Sequence, residues 1–267
     1  MKAIPVASLK GGVGKTSVTA QLGKALQRRG RRVALLDMDI HGPNLHLALG
    51  LDHPPPLILD TAGEAIVPNQ VDGLEFVTMA SHWAEGTRVL WRGEDKLGLV
   101  QEMLQGVISW HDPEYLLFDC PPTLGDEVQQ LFACLPNPHG VVLVTQPSDL
   151  SLDDAKRLLD MLAETGIPLL GVVSNMDGVL CPHCGERFYA FATRRVDIRQ
   201  FCQDHNIPYL LSIPQLAHDG LAAYGNELAR LVETSTPLRL PVPTLSRRLK
   251  RQVAKKVLGG MAHERLE

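Results

Sequence analysis

Lys10-Gly11-Gly12-Val13-Gly14-Lys15-Thr16 decides how this chain folds, because of what stands on either side of it. Before it runs an apolar stretch, residues 4–9, short and continuous enough for a buried strand. After it, Val18, Leu22, Ala25 and Leu26 fall at helical spacing on one face. Strand, glycine turn, lysine, hydroxyl and helix in that order form the setting of a phosphate-binding loop. Glycines let the backbone curl and turn successive N–H groups toward phosphate oxygens, and the helix start adds its positive dipole end. In such a loop Lys15 reaches the β- and γ-phosphates of a nucleotide and the Thr16 hydroxyl ligates Mg²⁺. The ordinary motif carries a glycine where Leu9 stands; here a second lysine, Lys10, follows.

Outward from the loop, the same alternation repeats. Residues 32–37, 74–79, 115–119, 141–145, 169–174 and 209–213 are further short apolar runs bounded by Gly, Pro, Asp or Asn. They are apolar throughout rather than at every second position, as strands covered on both faces require. Helical patterns lie between them, for example Leu152, Ala155, Leu158, Leu159 and Leu162. We therefore expect an α/β fold: a doubly wound, mostly parallel sheet with helices on both faces, of the P-loop NTPase kind. Residues 40–73, with Pro54-Pro55-Pro56, read as loop. No repeat divides the body, so we expect one ATPase domain over residues 1–235. A connector with Pro237, Pro241 and Pro243 then leads into a tail, together residues 236–267.

Composition narrows the function. The 267 residues carry a formal net charge of −4, which excludes an electrostatic nucleic-acid binder as a whole. No apolar run reaches the roughly 18 residues of a membrane span, and the glycine loop follows the first strand too closely to leave room for a signal peptide. We expect a cytoplasmic protein. Charge is uneven: seven of the 26 Lys/Arg but two of the 30 Asp/Glu fall in residues 244–267, so the tail carries +5 and the body −9. Leu245, Leu249, Val253 and Val257 are spaced by four among those basic residues, a basic amphipathic helix. Without Trp or Phe it would anchor a membrane weakly at best; a helix docked on the body, or an arm for a client protein, is the plainer role.

Three acidic residues end strands. Asp37 and Asp39 follow the second long strand and Asp119 closes the fourth. Ligands of open parallel sheets bind beyond the carboxyl ends of the strands, so these carboxylates face the loop, where one can hold a Mg²⁺-bound water and another can orient an attacking water. Each could also serve as a turn residue or helix cap, Asp37 most readily. Guanine-specific P-loop proteins generally carry Asn-Lys-x-Asp after a late strand. Here Asn175-Met176-Asp177-Gly178 stands there, and ATP is the better match.

Cys181-Pro182-His183-Cys184 follows closely. Two thiolates cannot close an Fe–S or zinc site, which wants four ligands, and the other cysteines, Cys120, Cys134 and Cys202, are scattered singles. A two-fold axis through the site would bring a second pair. A thioredoxin-like redox pair, a structural zinc shared across a dimer, and two inert thiols are the rival readings.

The loop resembles the deviant Walker A sequence of the MinD/ParA class of P-loop ATPases. That resemblance implies that Lys10 reaches the nucleotide of the facing subunit in an ATP-bound dimer, and that Gly11, Gly12, Val13, Gly14, Lys15, Thr16 and Ser17 wrap the nucleotide. It makes Asp119 the Walker B acid and Asp39 the switch I acid that positions water. Asn175 matches the adenine-contacting asparagine of the class, with the chain around Pro214 as the opposite wall.

The run from Val172 through CPHCGER narrows the likeness to the Mrp/ApbC group of iron–sulfur cluster carrier ATPases. Asp37-Met38-Asp39-Ile40-His41-Gly42-Pro43, Trp91-Arg92-Gly93, Asp119-Cys120-Pro121-Pro122 followed by Gly125-Asp126, and Ser212-Ile213-Pro214 resemble segments of that group in the same order. The implied protein is a homodimer that hydrolyses Mg-ATP, holds a bridging [4Fe–4S] cluster on Cys181 and Cys184 of two subunits, and delivers it to apo iron–sulfur proteins. The departures are Glu94-Asp95 in place of Pro-Met, Thr123-Leu124 within the usual Pro-Pro-Gly-Thr-Gly-Asp, and the lack of the N-terminal accessory domain or ferredoxin-like cysteines that many members carry. A MinD/ParA-type positioning ATPase and a nickel- or other metal-insertion ATPase are the alternatives.

Overall fold

The computed structural model describes residues 1–39, 42–82, 98, 101–104, 106–122, 126–135, 138–189, 196–215 and 221–242. The Trp91-Arg92-Gly93-Glu94-Asp95 segment, Ile40-His41, Thr123-Leu124-Gly125 and the basic tail lie outside them.

Eleven strands and six helices of the described residues carry the fold. In chain order they are β1 (Lys2–Ala7), α1 (Lys15–Arg28), β2 (Val33–Asp37), α2 (Leu45–Leu49), β3 (Ile58–Leu59), β4 (Ile66–Val67), β5 (Asn69–Val71), β6 (Leu74–Val77), β7 (Tyr115–Asp119), α3 (Asp126–Cys134), β8 (Val141–Thr145), α4 (Asp149–Thr165), β9 (Leu169–Leu180), β10 (Arg187–Phe188), α5 (Ile198–Asp204), β11 (Tyr209–Gln215) and α6 (Leu221–Thr234). The main sheet runs β10-β9-β8-β1-β7-β2-β6-β5, with β11 also paired to β9. Every pairing among β1, β2, β6, β7, β8, β9 and β11 is parallel; β5 and β10 are antiparallel additions. The chain thus winds outward from β1 in both directions. Above the carboxyl end of β1, between β7 and β8, lies the switch point where such sheets open a crevice.

Alternate residues of each strand feed two separate cores, which is why the strands are apolar throughout. Ile4, Leu35, Leu117 and Val144 pack with Val18, Leu22 and Leu26 of α1 and with Leu228 and Val232 of α6. Leu36, Leu116, Phe118 and Leu143 pack on the other face with Val128 and Leu131 of α3, with Leu158 and Leu162 of α4 and with Phe201 of α5. Full burial of each such side chain is worth about 1.5–3 kcal/mol, so the sheet is fastened from both sides. Close approach sets the α1–α6 pairing: a Cβ on Gly225 would stand 2.9 Å from the Gln21 carbonyl oxygen.

Two regions differ from the sequence expectation. Residues 40–73 contain α2 and three short strands. At two to five residues, each is too brief for a periodicity to register. More important for the site, β9 continues six residues beyond Ser174, through Asn175-Met176-Asp177-Gly178, a run that reads as a turn. Pairing with β11 carries it through: Asn175 stands opposite Ile213 and Val179 opposite Gln215, so four residues of β9 advance against two of β11. Such a bulge re-aims side chains, and Met176 (φ 53) and Gly178 (φ 79) take left-handed conformations within it. Beyond the strand, Leu238 bridges antiparallel to Leu169 and Arg239 donates to the Gly166 carbonyl at 3.1 Å.

Candidate functional site

The glycine loop leaves β1 at Ser8, whose hydroxyl accepts the Lys10 N–H at 3.2 Å, and enters α1 at Gly14. Gly12 (φ +75) and Gly14 (φ +86) are both left-handed. Gly14 has a second constraint: a Cβ there would lie 2.3 Å from the Asn175 amide nitrogen. That nitrogen donates to the Val13 carbonyl at 2.7 Å. Asn175, 4% exposed, therefore grips the loop with its amide N–H. A long-range contact from the β9 bulge shapes the loop as much as its own glycines do.

Beneath the loop the predicted charges converge. Asp37 and Asp119 stand opposite each other in the β2–β7 register, both buried. Lys15 is 7% exposed, and Asp119 and Asp39 are close enough to raise its pKa against the burial that lowers it. Burial pushes the Asp119 carboxyl up, and the Asp39 charge adds to this; hydrogen bonds from Thr16 and Thr19 and the Lys15 charge pull it down. Burial and then the Asp119 charge likewise push Asp37 up. Against that, three donors converge on Asp37: the Asp39 N–H at 3.1 Å, the Leu45 N–H at 3.3 Å and the Thr78 hydroxyl at 2.9 Å. Asp37 thus ties down the segment that carries Asp39, whose own Oδ1 accepts the Gly42 N–H at 3.1 Å. Asp119 and Asp39 beside Lys15, with the Thr16 hydroxyl on Asp119, place hard oxygen atoms and surplus negative charge beneath the loop. This chemistry suits Mg²⁺, which would reverse the rise of the carboxyl pKa values.

Lys10 bends the other way. Its Nζ donates to Ser151 Oγ at 3.1 Å and reaches Gln146 Oε1 at 3.5 Å. Ser151 is held in turn by Ser148, the N-cap of α4, at 2.8 Å. Gln146 also contacts the Gly12 carbonyl and the Met176 sulfur. Gln146, Ser148, Ser151 and Thr78 were not among the residues expected from sequence. The rule that drew attention to the strand-end aspartates applies equally to Gln146, which follows β8 directly. Pro214 is buried in β11, beside the strand that carries Asn175, and Ser17 is exposed on the first turn of α1.

Cys181 and Cys184 sit in the connection between β9 and β10, half-buried and exposed respectively. The turn closes on itself: Cys181 N–H donates to the Glu186 carbonyl and Gly185 N–H to the Cys181 carbonyl, both at 2.8 Å. The Cys184 and His183 N–H groups point at the Cys181 sulfur, and with the Cys184 thiol they hold its pKa below the ordinary value. This favours the thiolate, the form that ligates metal. Burial pushes the thiols of Cys120 and Cys202 up, the latter to about 12, and keeps both inert. Among the described residues no three His, Cys, Asp or Glu side chains of the chain converge as a metal site, and no helix is long and apolar enough to cross a membrane.

Known proteins resemble this arrangement. Residues 1–235 match the family described as ParA: NUBPL iron-transfer P-loop NTPase. The iron-sulfur cluster carrier protein of Helicobacter pylori is 36% identical over 71% of this chain, which spans about half (51%) of that relative's length. The cytosolic Fe-S cluster assembly factor Nubp2 homolog of Drosophila willistoni is 34% identical over 87% of this chain and 90% of its own length. Among solved structures, a nucleotide-binding protein of Archaeoglobus fulgidus in complex with ADP, with cobalt, is 27% identical, with a TM-score of 0.65 over 86% of this chain and 88% of that one.

Proposed function

The chain belongs to the ParA family as a NUBPL-type iron-transfer P-loop NTPase, and from this we propose that it is an ATP-hydrolysing carrier that holds a [4Fe–4S] cluster between two subunits and passes it to apo-proteins. The observation that carries the proposal is the closeness of two sites at the end of one strand. β9 grips the phosphate loop through Asn175 and six residues later presents a thiolate-favouring cysteine pair. A positioning ATPase would leave that pair without work.

In this scheme residues 11–17 and Lys15 hold the phosphates, with Asn175 and Pro214 walling the adenine. Thr16 and Asp119 hold Mg²⁺, which supplies charge neutralisation at the phosphates. Asp39 orients the attacking water, and its position is kept by Asp37. Lys10 leaves Ser151 to reach the nucleotide of the other subunit. The cluster is cargo: each chain offers two thiolates, so four close the site only in a homodimer. Of the segment expected as a connector, Leu238 and Arg239 are fastened to the body at Leu169 and Gly166.

Anaerobic reconstitution with iron and sulfide tests the proposal. About two iron atoms per chain should bind, in a dimer, with a chromophore lost in Cys181→Ser and in Cys184→Ser. A colourless protein with one zinc per dimer would sink it.

A further inference from the structure

Behind the thiol hairpin lies a polar cluster that none of the roles above uses. Asp177, 5% exposed, points its Oδ2 at two hydroxyls: Ser174 Oγ donates at 3.1 Å and Ser212 Oγ at 2.7 Å. The Arg187 guanidinium donates to Ser212 Oγ and stands 3.8 Å from the same carboxylate oxygen. Asp177 belongs to the β9 bulge, Ser212 to β11 and Arg187 to β10, so three strands meet at one buried carboxylate. The packing is as tight as the bonding. A Cβ on Gly178 (φ +79) would stand 2.8 Å from the Tyr189 ring, 2.9 Å from Arg187 Cγ and 3.0 Å from the Phe188 carbonyl oxygen. β10 is therefore pressed onto the bulge and cannot shift independently of it.

The position of this cluster in the chain gives it a use. Asn175, two residues before Asp177, holds the Val13 carbonyl of the phosphate loop. Ser212 lies two residues before Pro214, and Arg187 lies three residues after Cys184. We propose that Arg187, clamped by Asp177 and Ser212, is the positioning residue that couples the nucleotide state of the phosphate loop to the placement of Cys181 and Cys184. This deepens the carrier function proposed above and rests on it. When the loop closes on a nucleotide, Asn175 follows the Val13 carbonyl, and the bulge carries Asp177 with it. The clamped guanidinium then sets the angle at which the hairpin presents its thiolates. A buried carboxylate shared by two hydroxyls and a guanidinium suits such a coupling, because its partners are fixed in direction as well as in distance. A flexible lysine at this position would transmit an orientation less fully than the planar guanidinium.

The test uses the reduced, metal-free protein, so it does not depend on cluster assembly. Iodoacetamide alkylation of Cys181 and Cys184 is timed with and without a non-hydrolysable ATP analogue and Mg²⁺. In the wild type the nucleotide should change the rate by about fivefold or more, the lower end of ordinary coupling between sites. In Arg187→Ala and in Ser212→Ala that ratio should fall toward one, with analogue affinity retained and the native fold intact by circular dichroism; Arg187→Lys should restore it in part. A merely structural anchor would raise both rates equally and leave the ratio intact, which overturns the inference, as does a wild-type ratio of one. Iron content after reconstitution of the wild type is measured separately. A nucleotide-dependent ratio in a protein that takes no iron would defeat the carrier function while leaving the coupling in place.

Discussion

The phosphate loop and the thiol hairpin, the two proposed ligand sites, both follow the carboxyl ends of parallel strands but are built by opposite means. At the loop the working groups are buried and held from many sides: Lys15 is buried beside Asp119 and Asp39, and Asp37 accepts three hydrogen bonds. At the hairpin Cys184 is exposed, and two backbone hydrogen bonds close the turn. The contrast follows from the chemistry. Polyphosphate recognition gains from preorganised donors in a place with little water, where each interaction is stronger. A pair of thiolates that, in the proposed carrier, meets a second pair on another subunit and later lets go would have to remain at the surface.

Substitutions can break the comparison in both directions, and the largest effect should be a double dissociation. Lys15→Ala should weaken ATP binding by about 3 kcal/mol, a factor of at least about 100, because the buried lysine has no substitute. Iron loading of the same variant should survive in nucleotide-free buffer. Cys181→Ser should do the reverse, losing iron while ATP affinity by isothermal titration stays within about 0.5 kcal/mol of wild type. Loss of both ligands in either variant would mean that the two sites are one.

Gly14→Ala should come next. It meets a left-handed backbone and the Asn175 amide together, so it should cost about 1–3 kcal/mol of stability in a denaturant titration. Gly185→Ala in the hairpin, left-handed too but with open space at its Cβ, should cost less.

Thiol chemistry sharpens the contrast further. In native protein at pH 7, mass spectrometry should find Cys181 and Cys184 alkylated while Cys120 and Cys202 stay intact until urea unfolds the chain. The reactive form is the thiolate, so the rate rises with pH. For Cys181 the rise should level off at a lower pH than for free cysteine, because its pKa is lowered. A rise that levels off later than for free cysteine would contradict the N–H contacts at its sulfur.

Lys10→Ala should be the mildest for the isolated chain. Its contacts to Ser151 and Gln146 are part-exposed, and their loss should cost under about 1 kcal/mol of stability. ATPase activity should nevertheless fall in the dimer if Lys10 serves the other subunit, as steady-state turnover would show.

Much of this was legible before any coordinates. Continuous apolar runs pointed to strands covered on both faces, and the two cores confirm the reason. Lys15, Asp37, Asp39 and Asp119 come together because each ends or follows a parallel strand, a placement that local spacing encodes. Residues 175–180 were not legible: Asn-Met-Asp-Gly carries every mark of a turn, and pairing with β11, some forty residues on, and with β10 holds the segment as strand. Ser151 and Arg187 were missed for the same reason, since nothing beside them in the chain marks their partners, whereas Gln146 directly follows β8 and was open to the strand-end rule.

The amino-acid sequence by itself therefore determined the sheet, the phosphate loop, the strand-end carboxylates and the presence of a thiol pair, because period, glycine placement and residue chemistry are local properties of a chain. Tertiary structure alone decided that Asn175 grips the loop, that Asp37 serves as a tether for the Asp39 segment, and that Asp177 clamps Arg187 behind the cysteines. The Asn175–Val13 contact spans 162 positions, Asp37–Thr78 spans 41 and Asp177–Arg187 spans ten, through bulges and buried registers. Their geometry exists only once two faces of helices have compressed the sheet between them.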